Sequence, residues 1–202
     1  MFSLEDLLGQ EQGSQTTNQL SQMLGANPTA TQSAIQMALP AILSGLARNA
    51  SEPQGAQDLS NALEEDHSGG GILGSLGNYL NNSSQTQNDD GIGILGHIFG
   101  QNQGAVAQQV SKNSGLDIGQ VAQLLITLAP IVMGYLAKQK QQQGLDADGL
   151  SNMLGQEQQQ MQSSGNPIMD IISGMMNSNQ SGGDNSMGDL ASLAANYLSR
   201  GR

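Results

Sequence analysis

The sequence predicts an all-α fold: an internally duplicated bundle of short helices with Gly-rich apolar segments and polar linkers. Three observations carry this. Only four of the 202 residues are Val, and the aromatics are limited to Phe2, Phe99, Tyr79, Tyr135 and Tyr197, whereas strands favour β-branched and aromatic side chains. The most apolar stretch, VAQLLITLAPIVMGYLAKQK from Val121, interrupts its apolar residues at helical rather than alternating spacing. Helix-ending and helix-starting residues then recur in the same order about ninety positions apart.

Along the chain, Leu24-Gly25-Ala26-Asn27-Pro28 is the first clear boundary. Gly25 suits the left-handed turn just past a helix end. Asn27 is a helix N-cap, and Pro28 follows at the first helical position, where a missing N–H is harmless. The helix it opens runs to Arg48 with Pro40 inside it. Farther on, a helix spanning Ala105 to Asn113 should stop at Gly115, and Asp117-Ile118-Gly119-Gln120 reads as a capping box. In the long helix that follows, Gln120, Gln123, Thr127, Gly134 and Lys138 form a narrow polar stripe on an otherwise apolar cylinder. Pro130 should kink that helix or split it in two. Short Gly-rich or small-residue apolar segments complete the pattern at 71–80, 91–100, 167–176 and 189–198, and joints are expected at about 49–57, 81–90, 139–146 and 177–188.

The two halves align without a gap from 20–48 against 110–138. Identities are few (Ser21/Ser111, Gly25/Gly115, Pro40/Pro130, Leu46/Leu136, Ala47/Ala137), but the structural punctuation matches. Leu59-Ser60-Asn61-Ala62-Leu63 then repeats as Leu150-Ser151-Asn152-Met153-Leu154, offset by ninety-one. This gives a first, degenerate helical unit at 1–90 and a second at 91–202 with Met-rich C-terminal helices. Gly25, Asn27, Pro40, Gly115, Asp117 and Pro130 are the candidate structural residues.

The GILG segments, the Gly-Leu-Asp turn at 115–117 and the long helix with a central Leu-Ala-Pro resemble the bacterial family known as domain of unknown function 937, which includes YidB-like proteins. The resemblance is clearest from Gly91 to Leu154. It implies an all-α bacterial fold and no transferable activity.

Seventeen acidic against six basic residues give a net charge of −11, which repels phosphate backbones and anionic lipid surfaces. The absence of Cys excludes thiolate catalysis and Cys-ligated metals. The opening MFSLEDLLGQEQG places Glu5 and Asp6 where a secretory signal carries bases, so a cytoplasmic protein is expected.

Chemical motifs are weak. Gly91-Ile92-Gly93-Ile94-Leu95-Gly96 spells a dinucleotide fingerprint but lacks the preceding strand. Asp146 and Glu157 have the end spacing of a calcium loop, yet Leu150 and Ser151 stand where a ligand and a Gly belong. Glu64-Glu65-Asp66-His67 holds one Glu-x-x-His, and a di-iron bundle needs two. No catalytic, cofactor-binding or metal-binding residue is assigned, and an enzyme is not expected.

The favoured expectation is a non-catalytic helical interaction or assembly protein, with a protein partner or self-association. Gln/Asn-rich linkers fit that class, as do the methionines concentrated in the last fifty residues. Two alternatives remain: membrane association through 118–137, which is long enough to span a bilayer, and a helix-turn-helix at 106–128 reading bases through Gln120 and Gln123. The net charge disfavours the second, so no nucleic acid is expected.

Overall fold

The computed structural model describes residues 10–65, 80 and 85–163. The apolar segments at 167–176 and 189–198, most of 71–80, His67 and the joint at 177–188 lie outside the described residues. Among those described, the chain forms helices and no strand: α1 (Gln10–Leu24), α2 (Pro28–Asn49), α3 (Pro53–Glu65), α4 (Gln85–Phe99), a 3₁₀ turn (Gly100–Asn102), α5 (Gln103–Ser114), α6 (Ile118–Gln143) and α7 (Ala147–Ser163). All of them belong to a compact unit, Met1–Met169.

Two long helices form its centre. Between Ala34 and Ala47 in α2, and between Leu124 and Ala137 in α6, nearly every residue is buried. A helix buried most of the way round must be covered by neighbours on several sides. Here α2 and α6 pack on each other; α5 and α7 cover α2, while α1, α3 and above all α4 cover α6. The core is almost wholly aliphatic: Leu20, Ile35, Leu39, Leu63, Leu128 and Leu150 are among its sealed side chains.

The joints are shorter than the sequence suggests. Helix α3 already begins at Pro53, α6 continues to Gln143, and α4 begins at Gln85 inside the polar stretch taken for a linker. Polar composition alone does not break a helix. No Gly or Pro interrupts Gln85–Asp90 or Gln139–Gln143, and Gln and Lys are good helix formers. What stops α6 is Gly144, at φ 61°.

The prolines likewise neither split nor end their helices. Helix α2 runs through Pro40 and α6 through Pro130, and both prolines are buried. Each ring removes one backbone hydrogen bond, a local loss set against two or three further turns of apolar burial that depend on continuity. The polar stripe of α6 also closes in its middle. Gln123 and Lys138 are exposed, but Thr127 and Gly134 are buried, and the Thr127 hydroxyl donates to the Gln123 carbonyl of its own helix at 2.8 Å.

Candidate functional site

The six residues singled out by sequence sit at helix ends and in helix interiors. Gly25 (φ 59°) and Gly115 (φ 79°) both adopt the left-handed conformation directly after α1 and α5. Only Gly enters that region without a Cβ penalty. Two residues later the chain is extended at Asn27 (φ −67°, ψ 131°) and Asp117 (φ −66°, ψ 150°), ready to enter α2 and α6. The Asn27 side chain accepts from the Thr29 backbone N–H at 2.8 Å. At the second boundary a capping box closes the turn: the Asp117 side chain accepts from the Gln120 backbone N–H, and Gln120 Oε1 accepts the Asp117 backbone N–H at 3.0 Å.

Gln120 does more than cap. Its Nε2 donates to the Leu24 carbonyl at 3.0 Å, tying the start of α6 to the end of α1. The same side chain is thus occupied at both ends and is not held out toward a base edge. Three further polar links join distant segments. Ser151 Oγ donates to the Ala50 carbonyl at 2.7 Å, and Asn49 Nδ2 donates to the His97 carbonyl at 3.2 Å. Lys140 Nζ donates to the Ser60 carbonyl at 3.3 Å and pairs with the Glu64 carboxylate.

Lys140 is the one charged side chain buried among the described residues. Its four-carbon stem lies in the core and its ammonium reaches the edge, where Glu64 is 67% exposed. Sequence reasoning missed it. The signal was present, because Lys140 follows Leu136 and Ala137 at helical spacing and so continues their apolar face. Glu157, on α7, has its pKa raised by burial.

Close helix approach is set by glycines. A Cβ at Gly45 of α2 would collide with Ile98 of α4, and one at Gly91 of α4 would collide with Ile126 of α6. The 91–96 glycines therefore stand inside a helix, Gly91 at a close approach to α6, and not in the strand-to-helix turn that a dinucleotide needs. The would-be calcium loop is also helical. Asp146 Oδ1 accepts the Gly149 backbone N–H at 2.8 Å at the start of α7, and residues 147–157 are wound into that helix. No group of three His, Cys, Asp or Glu that could hold a metal occurs among the described residues.

Every buried side-chain nitrogen and oxygen among the described residues has a hydrogen-bond partner. Thr16, Ser21, Thr31 and Thr127 satisfy their hydroxyls on carbonyls one turn back in their own helices.

No curated protein and no solved structure matches the chain. A family model described as "Bacterial protein of unknown function (DUF937)" matches residues 6–139, running through the first half and ending near the close of α6. The match covers more than half of the sequence, and the chain belongs to this bacterial family of proteins of unknown function.

Proposed function

We propose that this protein is a non-catalytic, cytoplasmic helical interaction or assembly protein. The observation that carries the reading is where its interior polar groups point. Ser151, Gln120 and Lys140 each reach across to a segment distant in sequence, and the hydroxyls between them turn back on their own helices. Reactive sites instead gather titratable groups around a shared point in a cleft. Close-packing glycines and an aliphatic core fit a scaffold that presents helical surface to a partner.

Light scattering of the purified full-length chain across a hundredfold concentration range tests assembly. A rise in mass with concentration is expected, and a strict monomer throughout would overturn self-association. The net charge of −11 supports the exclusion of nucleic acid; a duplex shifted at low salt would reverse that part.

A second reading has one observation in its favour. Ile118–Gln143 is long and apolar enough to cross a membrane. However, 72% of its most apolar stretch is buried by the protein's own helices, which supports a core helix. Recovery of the protein in the soluble fraction after high salt without detergent is the expected result. Retention in the membrane pellet would favour the second reading.

A further inference from the structure

Positions ninety apart in the chain share more than punctuation. Ile35 and Leu125, Pro40 and Pro130, and Leu46 and Leu136 are buried pair by pair, and Arg48 and Lys138 both emerge at the surface. Register alone would allow two similar units lying side by side. The packing between them is more specific.

Helix α1 packs on α6, and its counterpart α5 packs on α2. Helix α3 packs on α6, and its counterpart α7 packs on α2. Apart from α4, which also packs on α2, the remaining contacts between halves join counterparts, α2 with α6 and α3 with α7. Every pairing among α1–α3 and α5–α7 therefore reappears with the two halves exchanged. A translation does not do this, because it carries the first half onto the second without carrying the second back onto the first. Only an operation of order two has that property, and it is the signature of a symmetric, self-complementary interface.

Two hydrogen bonds join image pairs of positions. Ser151 Oγ donates to the carbonyl of Ala50, and Lys140 Nζ donates to the carbonyl of Ser60. Position 140 is the counterpart of 50 at an offset of ninety, and 151 is the counterpart of 60 at ninety-one. The same two corners are thus bridged in each half, although the second half supplies the side-chain donor in both. Helix α4 stands outside the pairing, since the positions ninety before Gly91–Phe99 are residues 1–9, which are not among those described.

We propose that the bundle is a two-fold dimer made covalent: 10–65 and 103–163 are equivalent three-helix units, and the partner that the buried face of each recognises is the other. The units are interlocked. Helices α3 and α7 lean on the opposite half, so neither three-helix unit can bury its own long helix by itself. This deepens the assembly reading by naming a self-complementary surface, and it stands or falls separately from any assembly between chains.

Two experiments on the full-length chain test it. In the first, a protease site is inserted between Gly70 and Gly71, and the protein is purified whole and then cut. The two pieces should continue to co-elute with unchanged helical circular dichroism and part only in denaturant. Pieces that separate while each remains helical would overturn the proposal, whatever the mass of the uncut protein.

The second transplants the ion pair to its image. The counterpart of Lys140 is Ala50, and that of Glu64 is Gly155, where a Cβ meets nothing within 4 Å. Ala50→Lys should lower the thermal midpoint by about 3 °C or more. Gly155→Glu should recover more of that loss in the Ala50→Lys background than Gly155→Gln, which gives the same gain in helix propensity without the charge. A Glu double variant no more stable than the Gln double variant overturns the two-fold relation. If Ala50→Lys does not fold, the cleavage result decides.

Discussion

Helices α2 and α6 occupy comparable positions and carry different chemistry. Both open after a left-handed Gly and an extended cap, run unbroken through a buried Pro, and surface at a cation, Arg48 or Lys138. Their ends differ. Helix α2 stops at Ala50, whose carbonyl receives a hydroxyl, while α6 extends to Gln143 and sends Lys140 into the same kind of corner. The lesson is that shape is held constant and polar detail is free to vary, because a buried helix crossing tolerates many apolar sequences of suitable volume but few changes in backbone path.

The harshest way to break the comparison is to hollow out one helix at a time. Leu39→Ala in α2 and Leu128→Ala in α6 remove fully buried side chains and should each cost about 2–5 kcal/mol in denaturant unfolding. A loss below about 1 kcal/mol at either site would show that helix to be peripheral rather than central.

Glycines offer a contrast of sign. Gly45→Ala drives a methyl into Ile98 and should destabilise by about 1–3 kcal/mol. Gly93→Ala, in helix α4 with nothing within 4 Å, should stabilise by about 0.5–1 kcal/mol through helix propensity. Equal effects at the two positions would refute close packing of α4 on α2.

The caps sharpen the comparison further. Asn27→Ala removes a side-chain hydrogen bond to the start of α2 and should cost about 1 kcal/mol. Asp117→Ala removes the Asp117 half of the capping box and should cost a similar amount, while the Gln120 contact to the Asp117 backbone is retained. Chemical denaturation of the two variants checks this, and a loss at Asp117 near zero would show its side chain idle.

The smallest effect concerns Glu157. Burial raises its pKa, so the folded state holds the proton to higher pH than the unfolded chain does. Stability from this group therefore falls as pH rises through the carboxylate range, because the folded state then carries the costlier buried charge. Glu157→Gln should raise the thermal midpoint slightly at pH 7 and leave it unchanged near pH 4. A lower midpoint at pH 7 would mean that the carboxylate has a favourable partner.

How much of this was legible in the sequence follows from the range of each interaction. The all-α class, the turns at Gly25 and Gly115, and the starts at Asn27 and Asp117 were readable because capping is settled within about four residues of chain. The family resemblance rested on the same local marks. Other features escaped for a physical reason. The polar stretch 81–90 reads as a joint before the segment at 91–100, yet from Gln85 on it forms the first turns of α4. The middle of the α6 stripe was expected to meet solvent and is covered.

By itself, then, the sequence determined where the two long helices begin, where the helices before them end, and that the interior is aliphatic. Tertiary structure decided that Pro40 and Pro130 lie within continuous helices, that Lys140 is buried against Ser60 and Glu64, and which helix covers which. Caps answer to neighbours along the chain. Burial answers to neighbours in space, and here those neighbours stand some seventy to a hundred residues away.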